Sequence, residues 1–238
     1  MRLYMKYIAS WSGGKDSSFM ILKLIELKYP LDRIIMCDTG LEFKQMYAYI
    51  DKFIQEVITP SGVPLTILNK GTGRHTFAKW MFGKFTRGKN SGRVRGWPFT
   101  IGMSYCTREL KVQPLRPFQN KDTKWYIGIG ADEHKRLKND DSLIYPLALE
   151  GITEQMCLDG LKRAGLHNPL YDVFDRTGCF LCPKQKLESF RKVFMHYPEE
   201  WKTMKVVQRR LIELDAVNTQ IIPGYTVFDL EDKFNPEE

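Results

Sequence analysis

Two groups of residues in this chain have the types and spacing for chemistry. The first is SWSGGKDSS, residues 10–18, set between the apolar runs YMKYIAS and FMILKLIEL. Gly13 and Gly14 permit positive φ and close backbone approach to a ligand. The amides and hydroxyls around Ser10, Ser12 and Ser17, at the start of a following helix, can donate to an anion with the helix dipole behind them. Lys15 adds a point charge, and Asp16 can orient a Mg2+ ion or a serine hydroxyl. The glycines directly precede the lysine, unlike the G-x-x-x-x-G-K-[ST] loop of common NTPases. This combination predicts a phosphate pocket; a plain strand-to-helix turn is the alternative. The second group is Cys179 and Cys182, a C-x-x-C followed by Pro183. That spacing suits two thiolates on one metal or a dithiol redox couple.

The elements that must position these residues can be read from periodicity. Residues 4–10 read as a strand, 17–28 as a helix closed by Pro30, and 33–37 as a short buried strand. Residues 43–58 carry apolar positions at helical spacing, TPSGVP (59–64) is turn chemistry, and 65–68 is a third strand. The alternation implies right-handed crossovers and a Rossmann-like parallel sheet with helices on both faces. Ligands of such sheets sit beyond the carboxyl ends of the strands, where the glycine turn lies. A further strand is expected at 124–129, and helices at 153–164, 186–195 and 198–215. The expected division is an α/β nucleotide-binding domain, 1–150, and a helical portion, 151–238, that carries the C-x-x-C.

The chain has 238 residues and a net charge of +8. Between Lys70 and Lys124 stand thirteen Lys/Arg against Glu109 and Asp122, a local balance of +11 that leaves the remainder at −3. Such a field attracts nucleic acid or nucleotide phosphates; a solvated surface is the alternative. Within it, residues 70–104 are glycine-rich and interleaved with aromatics. A short helix is expected at 76–82 and a long mobile loop through 86–96. Arg87, Lys89, Arg93 and Arg95 could track a phosphate backbone while Trp80, Phe85 or Trp97 stack on bases; equally, the aromatics are core and the loop a lid. No apolar stretch approaches membrane-spanning length, and MRLYMKYIASWSGG lacks the pattern of a signal peptide. A reducing cytoplasm is therefore expected, with five cysteines as ligands, catalysts or core residues rather than disulfides.

The stretch SGGKDS resembles the PP-loop, S-G-G-x-D-S, of the adenine-nucleotide α-hydrolase superfamily of ATP pyrophosphatases, through Ser12, Gly13, Gly14, Asp16 and Ser17. The resemblance implies ATP attacked at its α-phosphate, with Mg2+, giving an AMP-linked product and pyrophosphate. MCDTGLEF (36–43) looks like the second-strand signature of the PAPS-reductase-like branch, with Asp38, Thr39, Gly40 and Glu42 in register. YCTRELKVQPL (105–115) resembles its C-T-x-x-L-K-x-x-P-L segment, and GIGADEHKRL (128–137) its G-I-x-A-D-E-x-x-R segment, with Gly130, Asp132, Glu133 and Arg136. With DRTGCFLCP (175–183) the likeness runs from about residue 7 to 185. Asp38 would take a nucleoside proton, or else form a turn. Lys111 and Arg136 would neutralise phosphate or sulfate oxygens, or else be surface cations. Glu133 would fix Arg136 from one helical turn away, or bind metal.

The resemblance also places Cys106 with the C-x-x-C. Iron–sulfur APS reductases, which resemble this chain here, have Cys-Cys where it has Tyr105-Cys106. Three cysteines suffice for a 4Fe-4S cluster with one open iron, as in ATP-dependent tRNA thiolases of similar sequence. Alternatively Cys157 completes a four-cysteine site for zinc or iron–sulfur, or it is a core cysteine beside Met156, Leu158 and Leu161. Sulfonucleotide reductases also carry a late nucleophilic cysteine, and no cysteine follows Cys182. The expected activity is therefore ATP-dependent adenylation of a tRNA, DNA or small-molecule acceptor, followed by sulfur transfer. A sulfur-donor protein is an expected partner, and a homo-oligomer is compatible with the sequence. The alternatives are a PAPS/APS reductase-like oxidoreductase and a non-catalytic nucleotide- or nucleic-acid-binding module.

Overall fold

The structure, a computed structural model, describes residues 5–99 and 104–235. Tyr4 of the expected first strand, residues 100–103 of the basic segment and residues 236–238 of the tail lie outside the described residues. In chain order the first elements are β1 (Lys6–Trp11), α1 (Lys15–Glu26), β2 (Arg33–Cys37), α2 (Lys44–Phe53) and α3 (Thr59–Ser61). Then come β3 (Leu65–Leu68), α4 (Gly73–Met81), α5 (Tyr105–Thr107), α6 (Gln113–Leu115), β4 (Thr123–Ile127) and β5 (Leu143–Ile144). The remainder is helical: α7 (Pro146–Leu149), α8 (Glu154–Arg163), α9 (Leu187–His196), α10 (Pro198–Glu213) and α11 (Val227–Phe234).

The chain forms two compact units and passes between them several times. One comprises residues 1–38, 44–68 and 114–177; the other comprises 39–43, 69–113 and 178–238. The boundary expected at residue 150 and these units divide the chain differently. Helix α8 belongs with the sheet, and the basic segment and Cys106 belong with the C-terminal helices.

The first unit contains a five-stranded sheet in the order β3-β2-β1-β4-β5, every pairing parallel. Parallel strands need crossovers and bury both faces, and RIIMC in β2 shows the corresponding unbroken apolar run. On one face Ile8, Ile35 and Trp125 form a buried cluster with Leu68, Leu115, Phe118, Ile127 and Leu143 around it. Helix α1 buries Met20, Ile21 and Leu24, and Trp11 of β1 donates from its indole to the buried Ser18 of α1 (2.9 Å).

Chain direction along the sheet reverses at β1. From β1 the chain runs outward through β2 to β3, then returns to β4 on the other side of β1. That is the switch point where open α/β sheets leave a crevice, and the glycine turn and the loop after β4 both open onto it. Gly128, just past β4, makes their closeness steric fact. A Cβ there would stand 2.7 Å from Ser17 Cα and 2.8 Å from its nitrogen.

The second unit holds α4, α5 and α9–α11 around a buried polar hub. Gln208 of α10 is fully buried. Its carbonyl oxygen accepts from the Trp97 indole (3.0 Å) and the Val227 amide (3.1 Å), and its amide nitrogen donates to Thr219 O (2.9 Å).

Several expectations change here. Residues 86–96, expected as a long loop, carry a ladder of backbone hydrogen bonds. The Phe85 amide bonds to Arg93 O, Gly92 to Phe85 O, Arg95 to Gly83 O, Val217 to Val94 O and Asn218 to Arg95 O. The segment is a small hairpin whose cationic flank is tied by an Arg93–Asp215 pair (3.2 Å). The expected 76–82 helix begins at Gly73, and the helix expected to reach 215 stops at Glu213, with Asp215 at φ 45. TPSGVP begins as a helical turn and breaks at Gly62, φ 71. The helical run through 105–118 and the short β5 were not anticipated: the first is broken into short pieces of different helix type with Pro114 and Pro117 inside it, and the second is two residues long.

A Gly128→Ala substitution should destabilise the protein by roughly 1–3 kcal/mol, because the methyl meets rigid backbone rather than a side chain that can move. Urea unfolding monitored by tryptophan fluorescence reads this as a lower midpoint.

Candidate functional site

The glycine turn is built as the sequence requires. Gly13 sits at φ 74, and a Cβ there would crowd Met46 Sδ at 3.1 Å and Ile50 at 3.2 Å. Gly14 leads in extended conformation into α1, with no side-chain cap. Ser17 Oγ donates to Gly14 O (3.1 Å), accepts from the Ser12 amide (3.2 Å) and lies 3.0 Å from Ser12 Oγ. Ser10 is within β1, paired with Ile35 and Ile127. The turn thus has a fixed shape, with the first-turn amides of a three-turn helix behind it.

Lys15 is nearly buried, at 6% exposure. Its amine contacts Asp16 and Glu154, each at 3.3 Å, and lies 5.4 Å from the Tyr171 ring centre. Burial works against its charge, but Asp16, Tyr171 and Glu154 outweigh burial and raise its pKa. Burial is also what raises the Asp16 carboxyl, against the pull of Lys15.

Asp16, Glu133 and Glu154 bring carboxylate oxygens within 4.8 Å of one another, the only such potential metal-holding group among the described residues. Asp16 Oδ1 and Glu133 Oε2 are buried without a hydrogen-bond partner. Glu133 is desolvated, yet the Arg136 guanidinium at 2.5 Å prevails and lowers its pKa; Arg176 stands 3.6 Å away. Clustered hard oxygens with orphaned lone pairs fit Mg2+. Asp132 accepts from the Glu154 amide (3.1 Å), and Gly130 precedes it in extended conformation. Asp38 accepts from the Tyr47 hydroxyl (2.8 Å).

Thr39 and Gly40 belong to the other unit. Thr39 donates to Glu42 (3.0 Å), and Gly40 O accepts from Arg74 Nε (3.2 Å). Thr39 lines a mostly apolar cavity of about 60 Å³ with Ser104, Cys106, Lys111, Cys179, Cys182 and Lys184 among its walls. Three of the four expected cysteine ligands therefore share one cavity with Lys111. Cys157, the fourth, does not join them. It is fully buried on α8 in the first unit, and burial there raises its pKa. Its burial agrees with the core-cysteine reading, and Asp16 and Lys15 are among the groups that act on it.

The Cys179 thiol donates to Cys182, which raises Cys179 and lowers Cys182 to about 6. Lys111 is exposed over part of its length. Desolvation of its amine opposes its charge, but Cys179, Glu42, Cys182 and Cys106 prevail and raise its pKa. Cys106 Sγ lies 3.1 Å from Ser104 Oγ. Cys106, Cys179 and Cys182 are the residues that would hold a metal ion or an iron–sulfur cluster in this cavity.

Tyr105, in the place of a second cysteine, donates to Gly96 O (3.0 Å) and stacks on Trp80 (ring centroids 6.3 Å, 19° apart). Trp80 also has Arg95 and Arg108 over its ring at 4.7 and 5.0 Å, and Arg95 lies 5.3 Å from Phe85. With Trp97 fully buried, the three rings expected to meet bases have protein partners. Sequence reasoning missed Glu154 and Tyr171, since neither falls in a phosphate or metal spacing.

The sheet order, the switch point and the S-G-G-x-D-S turn define an adenine-nucleotide α-hydrolase fold. Within it, the profile of the phosphoadenosine phosphosulfate reductase domain matches residues 6–185, and the chain belongs to that family. It is similar to two uncharacterized proteins of Methanocaldococcus jannaschii. One is 25% identical over 224 residues, covering 87% of this chain and 42% of that protein. The other is 26% identical over 207 residues, covering 80% and 44%. An uncharacterized nin region protein of Escherichia phage lambda is 27% identical over 180 residues, covering 66% and 59%. The chain thus spans well under two thirds of the length of these relatives. A solved PAPS reductase from Candida auris, in a phosphate complex, shares the fold with a TM-score of 0.51 at 17% identity, covering 74% of this chain and 82% of that one. No helix among the described residues is long and apolar enough to cross a membrane.

Alkylation of Cys182 by iodoacetamide should reach half its maximal rate near pH 6, because the Cys179 thiol stabilises the thiolate. Cys179→Ala removes that donor, so the midpoint should move upward, as mass spectrometry of the labelled peptide will read.

Proposed function

We propose that the protein is an AMP-forming, pyrophosphate-releasing enzyme that adenylates an acceptor oxygen on a tRNA, DNA or small molecule and prepares it for sulfur transfer. The single observation that supports this most is the turn itself. Gly13 at positive φ and an uncapped α1 stand beside the orphaned carboxylate oxygens of Asp16 and Glu133. Backbone amides there would hold ATP phosphate oxygens, and Lys15 would balance charge as it develops on them. Asp16, Glu133 and Glu154 would hold Mg2+, which when bound supplies Lewis-acid polarisation of the phosphates. Arg136, already fixed by Glu133, would serve as a second cation near that site.

The thiol cavity supplies the other half of the reading. Cys182, ionised near neutral pH with Cys179 as its proton donor, is the nucleophile or sulfur carrier. Lys111 balances its charge, and a donor protein brings the sulfur. Cys106, Cys179 and Cys182 would hold an iron–sulfur cluster or zinc ion if one is bound, and no step is routed through it. The basic hairpin's Lys84, Arg87 and Lys89, all exposed, are the part of the 70–104 segment suited to acceptor phosphates.

One observation favours a second reading, a dithiol sulfonucleotide reductase. The Cys179–Cys182 pair has the one-thiolate, one-thiol form that an exchange reaction uses. It would stand in for the missing late cysteine. Thioredoxin-dependent sulfite release from an adenylyl sulfate, lost in Cys179→Ser, would identify it.

Incubation with ATP, Mg2+ and bulk tRNA should release pyrophosphate and AMP. Asp16→Ala should lower that rate by roughly 10²–10³-fold, the scale of removing a preorganised charge partner. A coupled pyrophosphate assay checks both, and ADP as the product would reject the reading.

A further inference from the structure

Tyr171 projects from a turn with little freedom. The turn Pro169–Asp172 is capped by Asn168, whose side-chain oxygen accepts from the Leu170 amide (3.0 Å). Asn168 is 2% exposed and Leu170 is fully buried. The hydroxyl that this turn holds out accepts from the Lys15 backbone amide at 2.8 Å. It also lies 3.0 Å from Thr177 Oγ1. Its ring lies beneath the Lys15 amine. Gly14 leaves the room, since a Cβ there would stand 3.3 Å from the Tyr171 oxygen.

A tyrosine hydroxyl has one proton and two lone pairs. Here the Lys15 amide takes one lone pair and Thr177 shares a second bond, so the group is satisfied without a ligand. The Lys15 amide is a first-turn donor of α1, which a phosphate oxygen would otherwise accept. Of the turn's other polar groups, Lys15 Nζ is paired with Asp16 and Glu154, and Ser17 with Gly14 O and Ser12, while Asp16 Oδ1 has no hydrogen-bond partner.

We propose that Tyr171 is an internal stand-in for phosphate, its hydroxyl occupying the Lys15 amide until a nucleotide phosphate displaces it. The inference rests on the reading of the turn as the ATP site. A charged phosphate oxygen forms a hydrogen bond roughly twice as strong as a neutral hydroxyl does, so the exchange favours the ligand. The hydroxyl nonetheless keeps the donor paired in the empty protein, and every nucleotide that binds must break that bond. Tyr171 therefore sets the affinity of the turn and discriminates against weaker, uncharged acceptors.

The test is calorimetric titration of Mg-ATP into the wild-type protein, Tyr171→Phe, Thr177→Val and Gly14→Ala. Phenylalanine keeps the ring over Lys15 and removes only the hydroxyl, so ATP should bind about three- to tenfold more tightly, the factor for one net neutral hydrogen bond. Thr177→Val loosens the hydroxyl's other tie and should tighten binding by a smaller factor. Without nucleotide, amide exchange in the peptide containing Lys15 should be faster in Tyr171→Phe than in wild type; saturating ATP should remove the difference. Should Tyr171→Phe fail to fold, Thr177→Val decides alone. Unchanged or weaker ATP binding in the folded hydroxyl variants, while Gly14→Ala still abolishes it, overturns the stand-in and leaves the ATP site standing. ATP binding indifferent to Gly14→Ala, or absent in every variant, overturns both.

Discussion

The approach of the β4 end to the first turn of α1 is the constraint on which the first unit depends. Gly128 lies so close to Ser17 that any side chain would press on backbone, and this contact closes one wall of the crevice at the sheet's switch point. Because β1 lies between β2 and β4, the glycine turn after β1 and the loop after β4 emerge side by side. Asp16 from one and Glu133 from the other then share a carboxylate cluster with Glu154 of α8. Loosening that contact would separate the phosphate-binding backbone from the groups that balance its charge.

Electrostatics give each unit a distinct centre. In the first, three half-buried carboxylates, Asp16, Glu133 and Glu154, meet Lys15, Arg136 and Arg176. Burial raises the Asp16 pKa, and the oxygens of Asp16 and Glu133 that lack hydrogen-bond partners are the ones a divalent cation would take. In the second, the hydrogen bond from Cys179 lowers the Cys182 pKa, and Cys179, Glu42 and Cys182 raise that of Lys111 against desolvation. The first arrangement suits phosphate and metal; the second suits a soft nucleophile. Both belong to a chain whose family profile spans most of it.

Much of this was legible in the sequence, and the reason is local. Strand β2 matches its expected 33–37 span, since a short apolar run between turns has few alternatives. The turn at 12–17 could be read because glycine, lysine and serine each have a distinct backbone or charge role. Cys106, Cys179 and Cys182 share a cavity as the family resemblance implied, but spacing could not exclude Cys157, whose burial depends on α8 packing in the sheet unit. The 86–96 hairpin was invisible because its ladder runs partly to Val217 and Asn218, more than a hundred residues away. Tyr171 was invisible for the same reason: its partner Lys15 lies 156 residues earlier.

The central claim is that the turn from Ser12 to Ser17 binds the phosphates of ATP. A crystal structure of the protein grown with Mg2+ and a non-hydrolysable ATP analogue tests it most directly. The account predicts phosphate oxygens within hydrogen-bonding distance of the Gly14 and Lys15 amides, and the metal ion on Asp16. A nucleotide bound elsewhere, with the turn's internal hydrogen bonds intact, would contradict it.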